Sequence, residues 1–416
     1  MKRGSQYSKW IYLNNEPAWI NIEPPYLRHA KSVEKKEKRP IKSEPKEKIE
    51  VKKKPSKDET RGEMIKNTRY SFTSFIIPLC ITGHRKDYQL LYCICALKKA
   101  VKIMSSALRK DGFAQLYMVG LKSKVNWEQI KENNVTFTDM IVDFLMKSGT
   151  VCMVAANRKE VFNKVRNPDA PFIVLLSTTD IQLPCRTNLC AGTSWMIFRR
   201  SEESRKGLFD REVFKGGRRA LHSGILINGC NTMMASAFKK LDGIHYFMFD
   251  IMTGDFRLFE DSCYLRPSGN LLSINEALFY KFTPNVQAWL KERKAQQKSK
   301  GYYSRYTGGW LTDCFIILRS GGLLLSPEDS EFKDGRVKLL CKAVTMAHVV
   351  EKAGGKASNG QTAILKSLKT SKSQHTNLIL GSIEEVDNYI KHVEPHLSQG
   401  YQLETDEDDT STDLDE

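Results

Sequence analysis

Apolar residues recur along Tyr88–Leu108 at the three-and-four spacing of a helix face, and again, with a weaker middle, along Trp127–Met146. Two short unbroken apolar runs follow, Val151–Ala155 and Phe172–Leu176, of the kind that forms strands buried on both faces. Ser194–Phe198, Gly243–Asp250 and Phe256–Phe259 continue the strand series. Helical spacing returns in Val286–Glu292 and in Leu311–Leu318, the second bounded by Gly308-Gly309 and Gly321-Gly322. The most regular helical pattern covers Leu339–Lys352 and stops at Gly354-Gly355. Helices interleaved with strand blocks predict an α/β layered fold, and no internal repeat is visible.

Composition changes the picture at the ends. Residues 31–61 hold 13 Lys or Arg, 7 Asp or Glu and three prolines, with almost no large apolar side chains. Such a stretch cannot bury enough surface to offset the entropy of ordering and is expected to be disordered. Residues 404–416 hold 8 acidic residues and no basic ones, a solvated tail. Tyr7, Trp10, Tyr12, Trp19 and Tyr26 punctuate the first thirty residues, which read either as a docking peptide or as a strand added to the body. The divisions expected are residues 1–69 as a basic, largely disordered extension, 70–260 and 261–398 as two domains of the body, and 399–416 as an acidic tail.

The net charge of +17 suits an anionic partner such as a phosphorylated metabolite, nucleic acid or an acidic membrane surface, and equally a solubilising surface. No apolar run approaches the ~18 residues of a membrane span. The longest, Phe75–Ile81 and Leu90–Leu97, are short, and the first contains Pro78. No signal-type segment follows Met1-Lys2-Arg3, so a cytoplasmic protein is expected, with the nucleus as the other destination through the Lys-rich segment. That segment carries interspersed glutamates and no aromatic partners, which disfavours nucleic acid. Cys93-x-Cys95 and Cys185-x4-Cys190 match no common zinc or redox spacing, so most cysteines read as small buried hydrophobes.

One segment carries a specific resemblance. KLLCKAVTMAHVVEKAGGKASNG (338–360) resembles the C-terminal helix of class I fructose-1,6-bisphosphatases. SRYTGGW (304–310) and RSGGLLLSP (319–327) resemble the segments leading into it. LLSINEALFYKFTP (271–284) is similar to that family's sugar-phosphate segment, residues 233–260 to its central hairpin, LKKAVKIMSSALRKDGFAQLY (97–117) to its early helix and LGSIEEVDNYIKHV (380–393) to its final helix. The likeness runs collinearly from about residue 72 to 397. It implies a layered α-β-α-β-α sandwich of the fructose-1,6-bisphosphatase / inositol monophosphatase-like sugar phosphatase type, self-association as dimers or tetramers, and metal-dependent hydrolysis of a phosphate monoester.

That chemistry uses divalent cations to neutralise the phosphoryl oxygens, activate water and stabilise the leaving alkoxide. Such hard cations need oxygen ligands, mainly carboxylates. By the resemblance, a paired acidic motif aligns with Ala156 and Asn157, an Asp-Pro-Leu-Asp-Gly-Ser-Ser run with Ser177-Thr178-Thr179-Asp180-Ile181-Gln182-Leu183, and a helical glutamate with Lys342. Of five carboxylates only Asp180 persists, and a formal charge of −5 becomes 0, one carboxylate against one ammonium. A divalent ion ~4 Å from an ammonium meets about 8 kcal/mol of repulsion at an effective dielectric of about 20. Lys342 is therefore expected to pair with Asp180 in place of a metal. Ile181, Gln182 and Leu183 also replace the glycine and serines that grip phosphate, and Asp139, aligned with an aspartate that helps activate water, reads most simply as a surface or cap residue.

Asn275, Arg305, Tyr306 and Arg336 fall where the family holds the distal phosphate of its sugar, with Arg305 lent across a subunit interface. Leu278 and Ser326 replace two tyrosines of that pocket, so the four residues read either as a residual sugar-phosphate or other anion site or as structural hydrogen-bonders. His84, Arg85 and Lys86, with Pro171 and Phe172, replace most of a family AMP site, of which Arg199 remains, so AMP inhibition is not expected. The function expected is a pseudoenzyme with a regulatory, binding or scaffolding role, with no cofactor. A hetero-oligomer with an active fructose-bisphosphatase is one partner expected. The alternatives are a working fructose 1,6-bisphosphate 1-phosphatase with altered metal ligation, using Mg2+, and a structural protein acting through its charged tails.

Overall fold

The computed structural model describes residues 8–13, 16–21, 70–81, 87–119, 127–156, 167–178, 190–201, 213–214, 217, 219–367, 371 and 373–393. The chain divides into two compact units, residues 1–55 and 56–416. In the first, β1 (Ser8–Leu13) and β2 (Glu16–Asn21) form an antiparallel hairpin whose register sets Trp10 opposite Trp19. The Lys-rich segment and the acidic tail lie outside the described residues.

The second unit begins with three helices, α1 (Phe72–Ile81), α2 (Tyr88–Val119) and α3 (Trp127–Lys147). A seven-stranded sheet follows: β3 (Val151–Ala156), β4 (Phe172–Ser177), β5 (Ala191–Arg199), β6 (Ala220–Asn228), β7 (Thr232–Phe238), β8 (Ile244–Asp250) and β9 (Asp255–Cys263). Its spatial order is the chain order. Only β3 and β4 are parallel, and the rest pair antiparallel.

After it come β10 (Leu271–Ser273), α4 (Pro284–Ala295), β11 (Tyr303–Ser304), α5 (Trp310–Ser320), β12 (Leu323–Ser326), β13 (Val337–Lys338), α6 (Val344–Lys352), β14 (Lys356–Ser358), β15 (His375–Thr376), β16 (Leu378–Gly381) and α7 (Ile383–Val393). A five-stranded sheet has the order β11-β10-β12-β16-β14, and β13 and β15 make a small separate ladder.

Three apolar clusters stack these elements into five layers. The outer one joins α1, α2 and α3 to one face of the seven-stranded sheet, through Phe72, Ile76, Leu97, Met104, Ile141, Val154, Val174 and Trp195. The middle one joins the opposite face, through Met153, Leu175, Met196 and Ile225, to α5, α6 and the near face of the five-stranded sheet at Leu324 and Leu380. The third joins the far face of that sheet, through Leu323, Leu325 and Ile379, to α4 and α7. The expected α-β-α-β-α sandwich is what results. Helices α5 and α6 lie between two sheets, which is why most of their residues are buried, Thr312, Asp313, Thr345 and His348 among them.

Several elements extend past their periodic cores. Helix α2 runs to Val119 rather than ending at Leu108. Residues 75–81, read as an apolar run with a proline, belong to helix α1, whose first turn is capped where Ser71 Oγ accepts the Ser74 N–H at 3.1 Å. Pro78 interrupts the hydrogen-bond ladder there, but Phe72, Ile76 and Cys80 are buried and hold the helix. The residues before α1 pair with the edge strand β9, Leu258 N–H donating to the Tyr70 carbonyl at 3.0 Å. Helix α6 is preceded by one wide turn, Leu339–Ala343, in which Val344 N–H reaches back five residues to the Leu339 carbonyl. It ends as expected: Gly354 takes φ +79°, its N–H donates to Glu351 O, and Gly355 N–H donates to Val350 O.

Gly224 makes room for the largest core side chain. It sits opposite Trp195 in the β5–β6 register, and a Cβ there would lie 2.5 Å from the Trp195 ring. Gly224→Ala is expected to destabilise the fold by about 1–3 kcal/mol through overpacking. A denaturant midpoint unchanged by the substitution would contradict this packing.

Candidate functional site

The carboxyl ends of β3 and β4 lie side by side, with Ala156 opposite Leu176. The wide turn before α6 packs onto them, the Cys341 thiol donating to the Ala155 carbonyl at 3.3 Å. In α/β sheets this end of parallel strands is where binding and chemistry concentrate. Of the five positions that the resemblance led one to expect at a metal site, three are among the described residues. Ala156 is a methyl in the outer apolar cluster, Ser177 is fully buried, and Lys342 is 7% exposed. Asn157 and Asp180 lie outside the described residues, and so does the expected Lys342–Asp180 pair. Asp139 is exposed on α3, one residue from Thr138, whose hydroxyl bonds that of Thr178 at 2.5 Å.

A methyl, a hydroxyl and an ammonium do not fit a hard divalent cation, which takes carboxylate oxygens. Among the described residues no three His, Cys, Asp or Glu are grouped as a metal site requires.

Behind this end runs a buried polar seam that the sequence reading missed. Ser194 Oγ and Thr345 Oγ1 are 2.7 Å apart, and Thr345 Oγ1 also donates to the Cys341 or Lys342 carbonyl, at 3.1 and 3.0 Å. One turn on, Ser223 Oγ meets His348 Nδ1 at 2.7 Å. The visible signal was Thr345 and His348, three apart among the apolar residues of one helix. On the other face of β6 the Trp195 Nε1–H donates to His222 Nδ1 at 3.3 Å. Burial, with the nearby His348, pushes His222 down to about 3. Burial, with Lys352 nearby, pushes His348 down to about 4.

The four residues aligned with a distal phosphate site are differently placed. Asn275 caps the short helical turn Glu276–Lys281, its Oδ1 accepting the Ala277 N–H at 3.2 Å. Arg336 is bidentate to Asp329, Nε to Oδ2 at 2.5 Å and Nη2 to Oδ1 at 3.1 Å, and Nη2 also reaches Glu331 Oε2 at 3.0 Å. Burial opposes ionisation of Asp329, but the Arg336 bond and two backbone N–H groups outweigh it and hold its carboxyl below the usual range. Arg305 and Tyr306, by contrast, are exposed after β11.

Arg199 bonds Asp87 and lies 5.0 Å over the Phe172 ring, while residues 84–86 lie outside the described residues. A cavity of about 320 Å³, lined by Asn231, Met248, Phe249, Asp250 and Arg257, opens at the β8–β9 hairpin. It is five strands across the sheet from β3, roughly 24 Å at the usual strand spacing.

Against known proteins, residues 72–261 match the profile for the fructose-1-6-bisphosphatase N-terminal domain and residues 265–394 that for its C-terminal domain. The chain belongs to the fructose-1,6-bisphosphatase family. It is 28% identical to fructose-1,6-bisphosphatase 1 of Rattus norvegicus over 308 residues, 73% of this chain and 82% of that one. It is 27% identical to the Bos taurus protein of the same name over 314 residues, 75% and 90% of the two chains. The crystal structure of Leishmania major fructose-1,6-bisphosphatase in its T-state superposes with a TM-score of 0.68 at 21% identity, covering 78% of this chain and 98% of that one. The family's activity is metal-dependent hydrolysis, and this chain matches both of the family's domains.

The buried histidines give this family member a pH signature. A histidine whose folded pKa is depressed binds its proton more readily when unfolded, so its stabilising contribution is complete above the unfolded value of 6.5 and declines as pH falls toward the folded value. Between pH 7 and pH 5, His222 and His348 are each expected to withdraw about 2 kcal/mol of stability. Urea midpoints that stay level across that interval, or rise toward acid, would contradict their buried neutral state.

Proposed function

We propose that this chain is a fructose-1,6-bisphosphatase-family protein that acts by binding rather than by hydrolysis. The observation that carries the reading is Lys342, an ammonium on a buried turn against the ends of β3 and β4. A divalent cation within ~4 Å of it would meet about 8 kcal/mol of repulsion at an effective dielectric of about 20, before the missing carboxylate attractions are counted. Ala156 and Ser177 supply no carboxylate to offset that. The internal pairing of Arg336 supports association with protein over capture of a sugar phosphate. The partners proposed are further copies of the chain, as dimer or tetramer, and an active fructose-bisphosphatase through the same kind of interface. Among the described residues no helix is long and apolar enough to cross a membrane, and a cytoplasmic setting is proposed. Family membership across both domains favours the competing reading, a working phosphatase in which Asp180 anchors altered metal ligation.

Purified protein incubated with fructose 1,6-bisphosphate and Mg2+ or Mn2+ is expected to release phosphate no faster than the protein-free blank. Metal-dependent turnover that disappears in Asp180→Ala would establish the competing reading. Lys342→Glu alone is expected to remain inactive, because Ala156 and Ser177 still supply no charge.

A further inference from the structure

The end of the seven-stranded sheet at which β3 and β4 finish also brings two thiols together. Strand β5 runs antiparallel to β4, so it starts at that end, and the residue before it is Cys190. Strands β6 and β7 are joined there by the turn Gly229-Cys230-Asn231, closed where the Gly229 N–H donates to the Asn231 carbonyl at 3.2 Å. The β5–β6 ladder ends with Ala191 opposite Asn228, so Cys190 comes level with Gly229, one residue short of Cys230. Both thiols are free, Cys190 half-buried and Cys230 exposed.

Gly229 is what lets them approach. A Cβ there would lie 2.8 Å from Cys190 Sγ, so the Cys190 side chain lies across the turn that carries Cys230. The Thr312 hydroxyl, in the first turn of α5, donates to the Cys190 carbonyl at 3.4 Å and holds the backbone behind the thiol. Burial raises the Cys190 thiol above its usual pKa, and the neighbouring Cys230 adds to the rise, as a second thiolate does at close range. In an antiparallel ladder a residue one step past the directly opposite one lies about 6 Å away between Cα atoms, inside the span that a disulfide bridges.

We infer that Cys190 and Cys230 form a redox couple, in which the exposed Cys230 is the entry thiol and Cys190 resolves it, closing a disulfide that ties the start of β5 to the β6–β7 turn. The oxidant is a small disulfide of the glutathione class. The Cys230 thiolate attacks one of its sulfurs, forming a mixed disulfide and expelling one glutathione thiolate. The Cys190 thiolate then attacks the Cys230 sulfur and expels the second glutathione. Two protein thiols lose two protons and two electrons, and one glutathione disulfide becomes two thiols. Burial keeps Cys190 protonated at neutral pH, so closure is the slower step and quickens as pH rises. The bond would cross the sheet end beside the candidate site without using Lys342, so the inference goes beyond the non-hydrolytic reading and is separable from it.

The probe is glutathione disulfide, applied to native full-length protein, with the products read by mass spectrometry of non-reducing tryptic digests. Cleavage after Arg186, Arg199, Arg219 and Lys239 puts Cys190 and Cys230 in separate peptides, 187–199 and 220–239, and leaves Cys185 in another. The expected product is the cross-link between those two peptides, formed faster at higher pH and reversed by excess glutathione. Cys190→Ser is expected to stop at glutathione on Cys230, and Cys230→Ser to leave Cys190 unmodified. The inference is overturned by wild type that halts at the Cys230 mixed disulfide, by Cys190 bridged to Cys185, or by a cross-link that forms only after denaturation. Phosphate release from fructose 1,6-bisphosphate is read separately, and turnover there would sink the non-hydrolytic reading while leaving the thiol couple where these digests put it.

Discussion

The burial of α5 and α6 between two sheets is the constraint on which the rest of this molecule depends. A helix covered on one side needs one apolar stripe, but a helix covered on both must be apolar nearly all round. Leu311, Cys314, Ile317 and Leu318 on α5, and Val344, Met346, Ala347, Val349 and Val350 on α6, meet that demand. Burial of apolar surface is worth about 25 cal/mol per Å², so this shared layer supplies much of the drive that holds the sheets face to face. It also means that the buried polar side chains of α6 must find their partners inside. Thr345 does so through Ser194 and its own helix, and His348 through Ser223.

The same layer sets the electrostatics of the candidate site. The wide turn before α6 is pressed against the ends of β3 and β4, and Lys342 on it is buried. In the fructose-bisphosphatase family the chemistry requires carboxylates around divalent ions. Here the position carries an ammonium, and β3 ends in a methyl packed among apolar neighbours. Fold and local charge are thus separable demands on one stretch of chain: the apolar face of α6 keeps the sandwich closed, and the turn that opens it carries Lys342. Around Arg336 a cation and a buried carboxylate satisfy each other within the chain. Groups that could hold a substrate are drawn into the fold's own network of bonds.

Much of this was legible in the sequence. The strands β3 and β4, the helices α3, α5 and α6, and the Gly354 stop follow from apolar periodicity and from the backbone freedom of glycine, both local properties. The family was legible from collinear segments. Helix α1 was not, because Pro78 argues locally against a helix and only its burial against the sheet outweighs that. Strands β6 and β7 carry Ser223, Gly224 and Ser236 in an otherwise apolar pattern, and their place is set by their neighbours across the sheet. Gly224 is intelligible only beside Trp195.

The sequence by itself determined the class of fold and the family, because these depend on residue type and on spacing along the chain. The tertiary structure alone decided which charges meet. Asp329 and Arg336 are seven residues apart, a separation that promises no contact by itself, until a turn fastened to Lys281 and Phe282 brings the carboxylate under the guanidinium. Ser223 and His348 stand 125 residues apart and meet only because α6 is laid across β6. Contacts of that kind depend on how layers stack, and stacking is a property of the whole chain rather than of any one segment.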